Sequence, residues 1–151
     1  MNLEAEIKNS KPMAPRQRAV VNILFTASWL DCLMNRQLRP YGLTGPQYNI
    51  LRILNGSFPN GLSVLDIKNR MIDRSSNVSR LVEKLRERGL AERVPHSGDR
   101  RMVIVTISAE GKKMLAELEI NELGNPAKIP GSKLSEAEAA ELAHLLDKFR
   151  D

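Results

Sequence analysis

From Pro15 onward, apolar residues recur at Val20, Leu24, Ala27, Leu30, Met34 and Leu38, the three- and four-residue steps of one helix face. Proline suits the first helical position, and Pro40 and Gly42 end the run, so the spacing predicts a helix of more than twenty residues. That exceeds what a compact small domain needs, so part of it is expected to pack against something else. Residues 1–14, polar and charged, read as a flexible lead-in. Thr44 offers an N-cap for a second helix with Tyr48, Leu51 and Leu54 inward, ending at Gly56. Residues 57–61 (Ser-Phe-Pro-Asn-Gly) read as a turn. Ser63, with Asp66 three residues on, approximates a capping box for a short helix that buries Ile67 and Met71. Asp73-Arg74-Ser75 is then a tight connection, and Ser75 or Ser76 caps a fourth helix running to Arg88, with Gly89 at C′.

The period then changes. Residues 91–94 and 102–107 are short strand candidates, the second rich in β-branched side chains. The loop between them, Pro95-His96-Ser97-Gly98-Asp99-Arg100-Arg101, is turn-rich and basic, so the three pieces form a hairpin. Ser108 caps a fifth helix, Ala109 to about Leu123, with Leu115 and Leu118 apolar. Gly124, Pro126, Pro130 and Gly131 interrupt the chain before Ser135 and Glu138 make a capping box. The last helix carries Leu142, Leu145, Leu146 and Phe149. Helix, short helix, tight turn, helix, hairpin is the order of a winged helix-turn-helix, in a mainly α fold with a small β-hairpin wing.

On the fourth helix Val78, Leu81, Val82 and Leu85 share one side and must face the core. Ser76 and Arg80 point away from that stripe, flanked by Asn77, Ser79 and Lys84. Hydroxyl, amide and guanidinium groups are the types that bond base edges and phosphates, and these lie in the first turns, the end that enters a major groove. Glu83 and Glu87 come later, where a helix would be leaving the groove. The plainer alternative is an amphipathic surface helix with serine caps, but the neighbouring helix, the turn and the basic hairpin favour DNA.

Composition narrows the classes. A chain of 151 residues, 42% hydrophobic and 27% charged, fits one soluble globular domain with appended arms. No apolar stretch approaches the ~20 residues of a membrane span. The N-terminus has no apolar run of the secretory kind, so a cytoplasmic location is expected. One cysteine and two histidines exclude an internal disulfide and most metal sites, and no cofactor is expected. His96, Ser97 and Asp99 are the residue types of a hydrolase triad, but one tight turn cannot give them its geometry, so no enzyme is expected. Cys32 reads as a buried, inert thiol, and Trp29 and the methionines as core rather than an effector pocket. Residues 68–101 hold ten basic residues against five acids, an excess equal to the +5 of the whole chain. A localised excess of this kind points to a polyanion, nucleic acid first and anionic membrane second, or to a solvated charged face.

The stretch Asn77-Val78-Ser79-Arg80-Leu81-Val82-Glu83-Lys84-Leu85-Arg86-Glu87-Arg88-Gly89-Leu90-Ala91-Glu92-Arg93 is followed by Asp99-Arg100-Arg101 and Ile107-Ser108-Ala109-Glu110-Gly111. Together these resemble the MarR family of bacterial transcriptional regulators, and Leu43-Thr44-Gly45-Pro46-Gln47-Tyr48 and Leu62-Ser63-Val64-Leu65-Asp66-Ile67 are similar to its second and third helices. The resemblance implies a homodimer whose first and last helices intertwine, with a lead-in at 1–14 and a dimerisation helix at 15–42. It implies a DNA-binding lobe at 43–108 and C-terminal dimerisation helices at 109–151. It implies a repressor of sequence-specific, double-stranded DNA-binding type, acting on a pseudo-palindromic operator, with a small aromatic effector as a further partner. Ser75, Ser76, Asn77, Ser79, Arg80 and Lys84 would face the major groove. His96, Ser97, Asp99, Arg100 and Arg101 would form the wing, with Arg101 in the minor groove and Asp99 orienting it. Residues 122–134 depart from the family pattern, since two prolines and two glycines cut the penultimate helix short. The rival function is a winged-helix protein-interaction or dimerisation module without DNA binding.

Overall fold

Side-chain caps set most of the helix boundaries in the computed structural model, which describes residues 2–95, 98, 103–123 and 130–151. Helix α1 (Leu3–Glu6) starts on an Asn2 cap. It buries Leu3 at 6% exposure, and Glu4 pairs with Arg18, so this part of the expected flexible lead-in is instead folded onto the next helix. Helix α2 (Pro15–Leu38) runs for 24 residues with proline at its first position. A 3₁₀ turn (Arg39–Tyr41) and Gly42, at φ 61°, separate it from α3 (Gly45–Gly56). Thr44 and Gln47 close a capping box there, a pairing that confirms Thr44 as the start.

Helix α4 (Val64–Arg70) is capped by Ser63. Helix α5 (Val78–Glu87) begins on Asn77, whose Oδ1 accepts from the Arg80 amide at 3.1 Å. The expected cap at Ser75 or Ser76 is therefore corrected: both serines lie in the turn before the helix, held there by Asp73. Strands β1 (Ala91–Pro95) and β2 (Val103–Ile107) pair antiparallel with Ala91 opposite Ile107 and Pro95 opposite Val103. Leu62 bridges to Val105 as a one-residue third strand. Helix α6 (Ala109–Leu118) is capped by Ser108 and passes into a π-helical segment, Glu119–Leu123. Helix α7 (Glu136–Arg150) starts on the Ser135–Glu138 capping box.

The core lies between residues 38 and 118. Leu38, Ile50, Leu51, Leu54, Ile67, Val82, Leu85 and Leu118 are at 0% exposure, and Leu90 and Val105 close the hairpin side. Burial of such side chains, at about 25 cal/mol per Å² of apolar area, holds the helices and hairpin together. The arms differ. Helix α2 buries only Gln37 and Leu38, at its end, and leaves Val20, Leu24 and Trp29 exposed. Helix α7 buries nothing and exposes Leu142, Leu145 and Phe149. Cys32 is likewise exposed, and Trp29 at 41% is not core, which corrects both sequence expectations. Among the described residues, nothing covers the apolar stripe on α2 along most of its length.

One glycine is held by close approach rather than by backbone angle. Ser108 accepts from the Gly111 amide and donates to the Gly89 carbonyl, pulling the start of α6 onto the hairpin base. A Cβ on Gly111 would lie 2.2 Å from the Leu90 carbonyl oxygen and 2.8 Å from Ile107 Cγ1. Glycine to alanine inside a helix ordinarily gains about 1 kcal/mol. Here Gly111→Ala is expected to lose about 1–3 kcal/mol, as overpacking does, in a urea unfolding curve.

Candidate nucleic-acid interface

The outward face of α5 follows from what it buries. Val78, Val82 and Leu85 face the core and Leu81 is half-buried, so Ser79, Arg80 and Lys84 are left exposed. Arg80 and Lys84 are four residues apart and thus neighbours on that face. No hydrogen bond or ion pair of either side chain is found among the described residues.

The turn ahead of the helix is organised by one carboxylate. Asp73 Oδ1 accepts from the Ser75 amide at 2.9 Å and from its hydroxyl at 2.6 Å, and Oδ2 accepts from the Ser76 hydroxyl at 2.8 Å. The Ser75 hydroxyl, then that of Ser76, holds the Asp73 carboxyl below its ordinary range. Both serine hydroxyls have thus spent their protons, and what they offer a ligand is oxygen lone pairs. Asn77 lies next, but its side-chain oxygen is occupied as the helix cap.

The basic excess divides in two. Arg86 donates to Glu83 at 2.6 Å, and Arg93 on β1 lies 3.8 Å from the same carboxylate. The Arg86 hydrogen bond, more than the charge of Arg93, holds Glu83 below the usual carboxylate range. Arg70 donates to the Ser57 hydroxyl at 2.9 Å. Arg88 turns inward onto the Tyr41 and Gly42 carbonyls. Lys68, Arg74, Arg80 and Lys84 are exposed, with no partner of this kind among the described residues. Arg74, in the turn beside Ser75, was missed by a reading centred on the helix itself; its place in a turn of alternating charge was the available signal.

Through Arg93, Glu83 thus also links α5 to β1. His96, Ser97, Asp99, Arg100 and Arg101 lie outside the described residues.

A second feature sits away from this face. Helices α2 and α7 flank an open groove of about 1120 Å³, walled by Trp29, Leu30, Leu33, Leu142 and Leu146. Gln37 lines it too; its side chain is buried, and Oε1 has no partner among the described residues.

Three helices with a tight turn before the third, followed by an antiparallel hairpin, define a winged helix-turn-helix protein. Residues 41–102 match the model of the MarR family. A MarR transcription factor from Planctomyces limnophilus is 26% identical, with 93% of this chain and 98% of that one covered and a TM-score of 0.63. A mutant MarR from E. coli complexed with operator DNA is 23% identical, covers 99% of both chains and has a TM-score of 0.72. BpsR of Bordetella bronchiseptica, whose DNA binding is regulated by 6-hydroxynicotinic acid, is 21% identical, covers 93% and 99%, and has a TM-score of 0.71. No curated protein matches the chain in sequence. The winged-helix segment is thus similar to the MarR family of transcription regulators, and the same fold extends over the arms.

Two outcomes test the local chemistry. Asn77→Ala is expected to lower stability by about 1 kcal/mol, while Asn77→Asp, which keeps the cap acceptor, holds the wild-type unfolding midpoint. A depressed folded-state value means that the Asp73 contacts are intact at neutral pH and are lost as pH falls through that value. The Ser75 amide resonance should titrate with a midpoint below the ordinary aspartate range, and Asp73→Asn should abolish that transition. A midpoint inside or above the range refutes the assignment.

Proposed function

We propose that the chain is a sequence-specific, double-stranded DNA-binding transcription regulator, a repressor that acts as a homodimer in the cytoplasm and catalyses no reaction. The observation that carries this is a single face on which Arg74, Arg80 and Lys84 have no side-chain hydrogen bond or ion pair among the described residues, beside hydroxyl oxygens that can accept from base amino groups. Helix α5 enters the major groove, with Ser75, Ser76, Ser79, Arg80 and Lys84 toward it and Asn77 shaping its start. A wing of His96, Ser97, Asp99, Arg100 and Arg101 lies along the adjacent minor groove, where a narrow groove attracts arginine. Unpaired charge suits this use better than a protein-only interface, whose core is depleted of charge.

The uncovered apolar faces of α2 and α7 support a partner subunit packed along them. Trp29 and Gln37 give the groove between those helices a ring surface and a buried acceptor, which suits a small aromatic effector with a hydrogen-bond donor. Among the described residues no helix is long and apolar enough to cross a membrane.

Binding to a palindromic duplex should weaken on the order of a thousandfold as salt rises from about 50 to about 200 mM, because phosphate contacts release counterions. Arg101→Ala should weaken all sequences alike. Arg80→Ala should also relax base preference at one position, by about 1–3 kcal/mol, read by competition between labelled duplexes. A binding curve indifferent to salt and sequence would favour the protein-interaction module.

A further inference from the structure

Helix α2 leaves the DNA-binding lobe through a short joint. The 3₁₀ turn Arg39–Tyr41 and Gly42 lie between the long helix and α3. Gly42 takes the left-handed conformation, at φ 61°. Short 3₁₀ stretches between helices often mark hinges, because their hydrogen bonds are poorer than those of the α-helix. The Gly42 amide closes on the Arg39 carbonyl at 3.0 Å and the Leu43 amide on the Leu38 carbonyl at 3.2 Å. The carbonyls of Tyr41 and Gly42 are taken by a side chain 47 and 46 residues away.

That side chain is Arg88, the cap residue at the end of α5. Its Nη1 donates to the Gly42 carbonyl at 2.7 Å and its Nη2 to the Tyr41 carbonyl at 2.8 Å. A planar guanidinium with two nitrogens on adjacent carbonyls fixes direction as well as distance, which a lysine cannot do. The approach is close: a Cβ on Gly42 would lie 3.4 Å from Arg88 Nη2. From the other side, Asn121 in the π-helical segment donates to the Tyr41 hydroxyl at 3.2 Å. The joint is therefore gripped by the end of the DNA-facing helix and by the root of the C-terminal arm.

Leverage gives the grip its importance. Helix α2 has 24 residues, or about 36 Å at 1.5 Å per residue, so a swing of about 5° at the joint moves its far end by about 3 Å. In a dimer held by such arms, the angle at each joint sets how far apart the two α5 helices lie. One inserted base pair shifts a half-site by about 3.4 Å and turns it by about 34°. We propose that Arg88 is a positioning residue that locks the arm-to-lobe angle and so sets the half-site spacing the dimer accepts, without touching DNA. This rests on the dimeric DNA-binding reading above.

The test uses duplexes selected by the wild-type chain from a randomised pool, then remade with one or two base pairs inserted or removed between half-sites. The wild type should discriminate against a one-base-pair change by about tenfold or more, and Arg88→Ala by about threefold or less, with base preference inside each half-site and the salt slope unchanged. Arg88→Lys keeps the charge but not the fork and should lose spacing discrimination as the alanine variant does. Because the side chain is exposed, both variants should unfold near the wild-type temperature. An unchanged spacing profile in either variant, or a salt slope lowered by about one in Arg88→Ala, overturns the proposal; the latter would make Arg88 a phosphate contact. If the wild type selects no palindrome, the dimeric DNA-binding reading falls and takes this proposal with it.

Discussion

Burial of Val78, Val82 and Leu85 against the lobe core orients α5, and the rest of its exposed surface follows from that orientation. With those three side chains inward, Arg80 and Lys84 have nowhere to go but solvent. Arg88, at the helix end, comes round to the joint behind. Past the buried Met71, the turn that precedes the helix needs its own organiser, because Ile72 is 90% exposed. Asp73 supplies one through three hydrogen bonds. A carboxylate so close to a proposed phosphate path costs attraction. Its use is geometric, since the same three bonds hold two serine oxygens in fixed places.

Charge alone is a poor guide to this surface. Arg86 and Arg93 neutralise Glu83 and brace the hairpin, Arg70 anchors the turn after α3, and Arg88 grips the joint. Among the described residues, four of the eight cations from Lys68 to Arg93 thus have structural work inside the chain. The surface left for a polyanion is narrower than the count suggests, and it is concentrated around α5 and the turn before it. A compact cationic patch beside directional hydrogen-bond groups favours recognition over diffuse adhesion.

Much of this was legible before any coordinates. The stripe of Val78, Val82 and Leu85, the caps at Thr44, Ser63, Ser108 and Ser135, and the stop at Pro40 and Gly42 depend on chemistry within a few residues, and sequence reports such chemistry well. Ser75, Ser76 and Asn77 are all capping types, so the start of α5 could not be chosen from them. The choice was made by Asp73, which occupies both serines. The uses of Arg88 and Arg93 depend on partners far along the chain, which no local pattern contains. Cys32 reads as buried from its neighbours Leu33 and Met34, and Trp29 from the usual place of an aromatic ring in a core, yet both are exposed. Periodicity says that a face wants cover, but not that the cover belongs to the same molecule.

Cover for α2 and α7 has a consequence for how the protein is made. The lobe between Leu38 and Leu118 closes its own core, so it can fold as each chain leaves the ribosome. In the proposed dimer the arms cannot finish until a second polypeptide arrives, and until then Leu24, Leu142, Leu145 and Phe149 are wet. Folding and pairing are thus separate events, the second governed by concentration. If the arms pair in this way, a cell holding several proteins of this build must keep them from mixing, which would make α2 and α7 addresses for kin, independently of the residues proposed to read DNA.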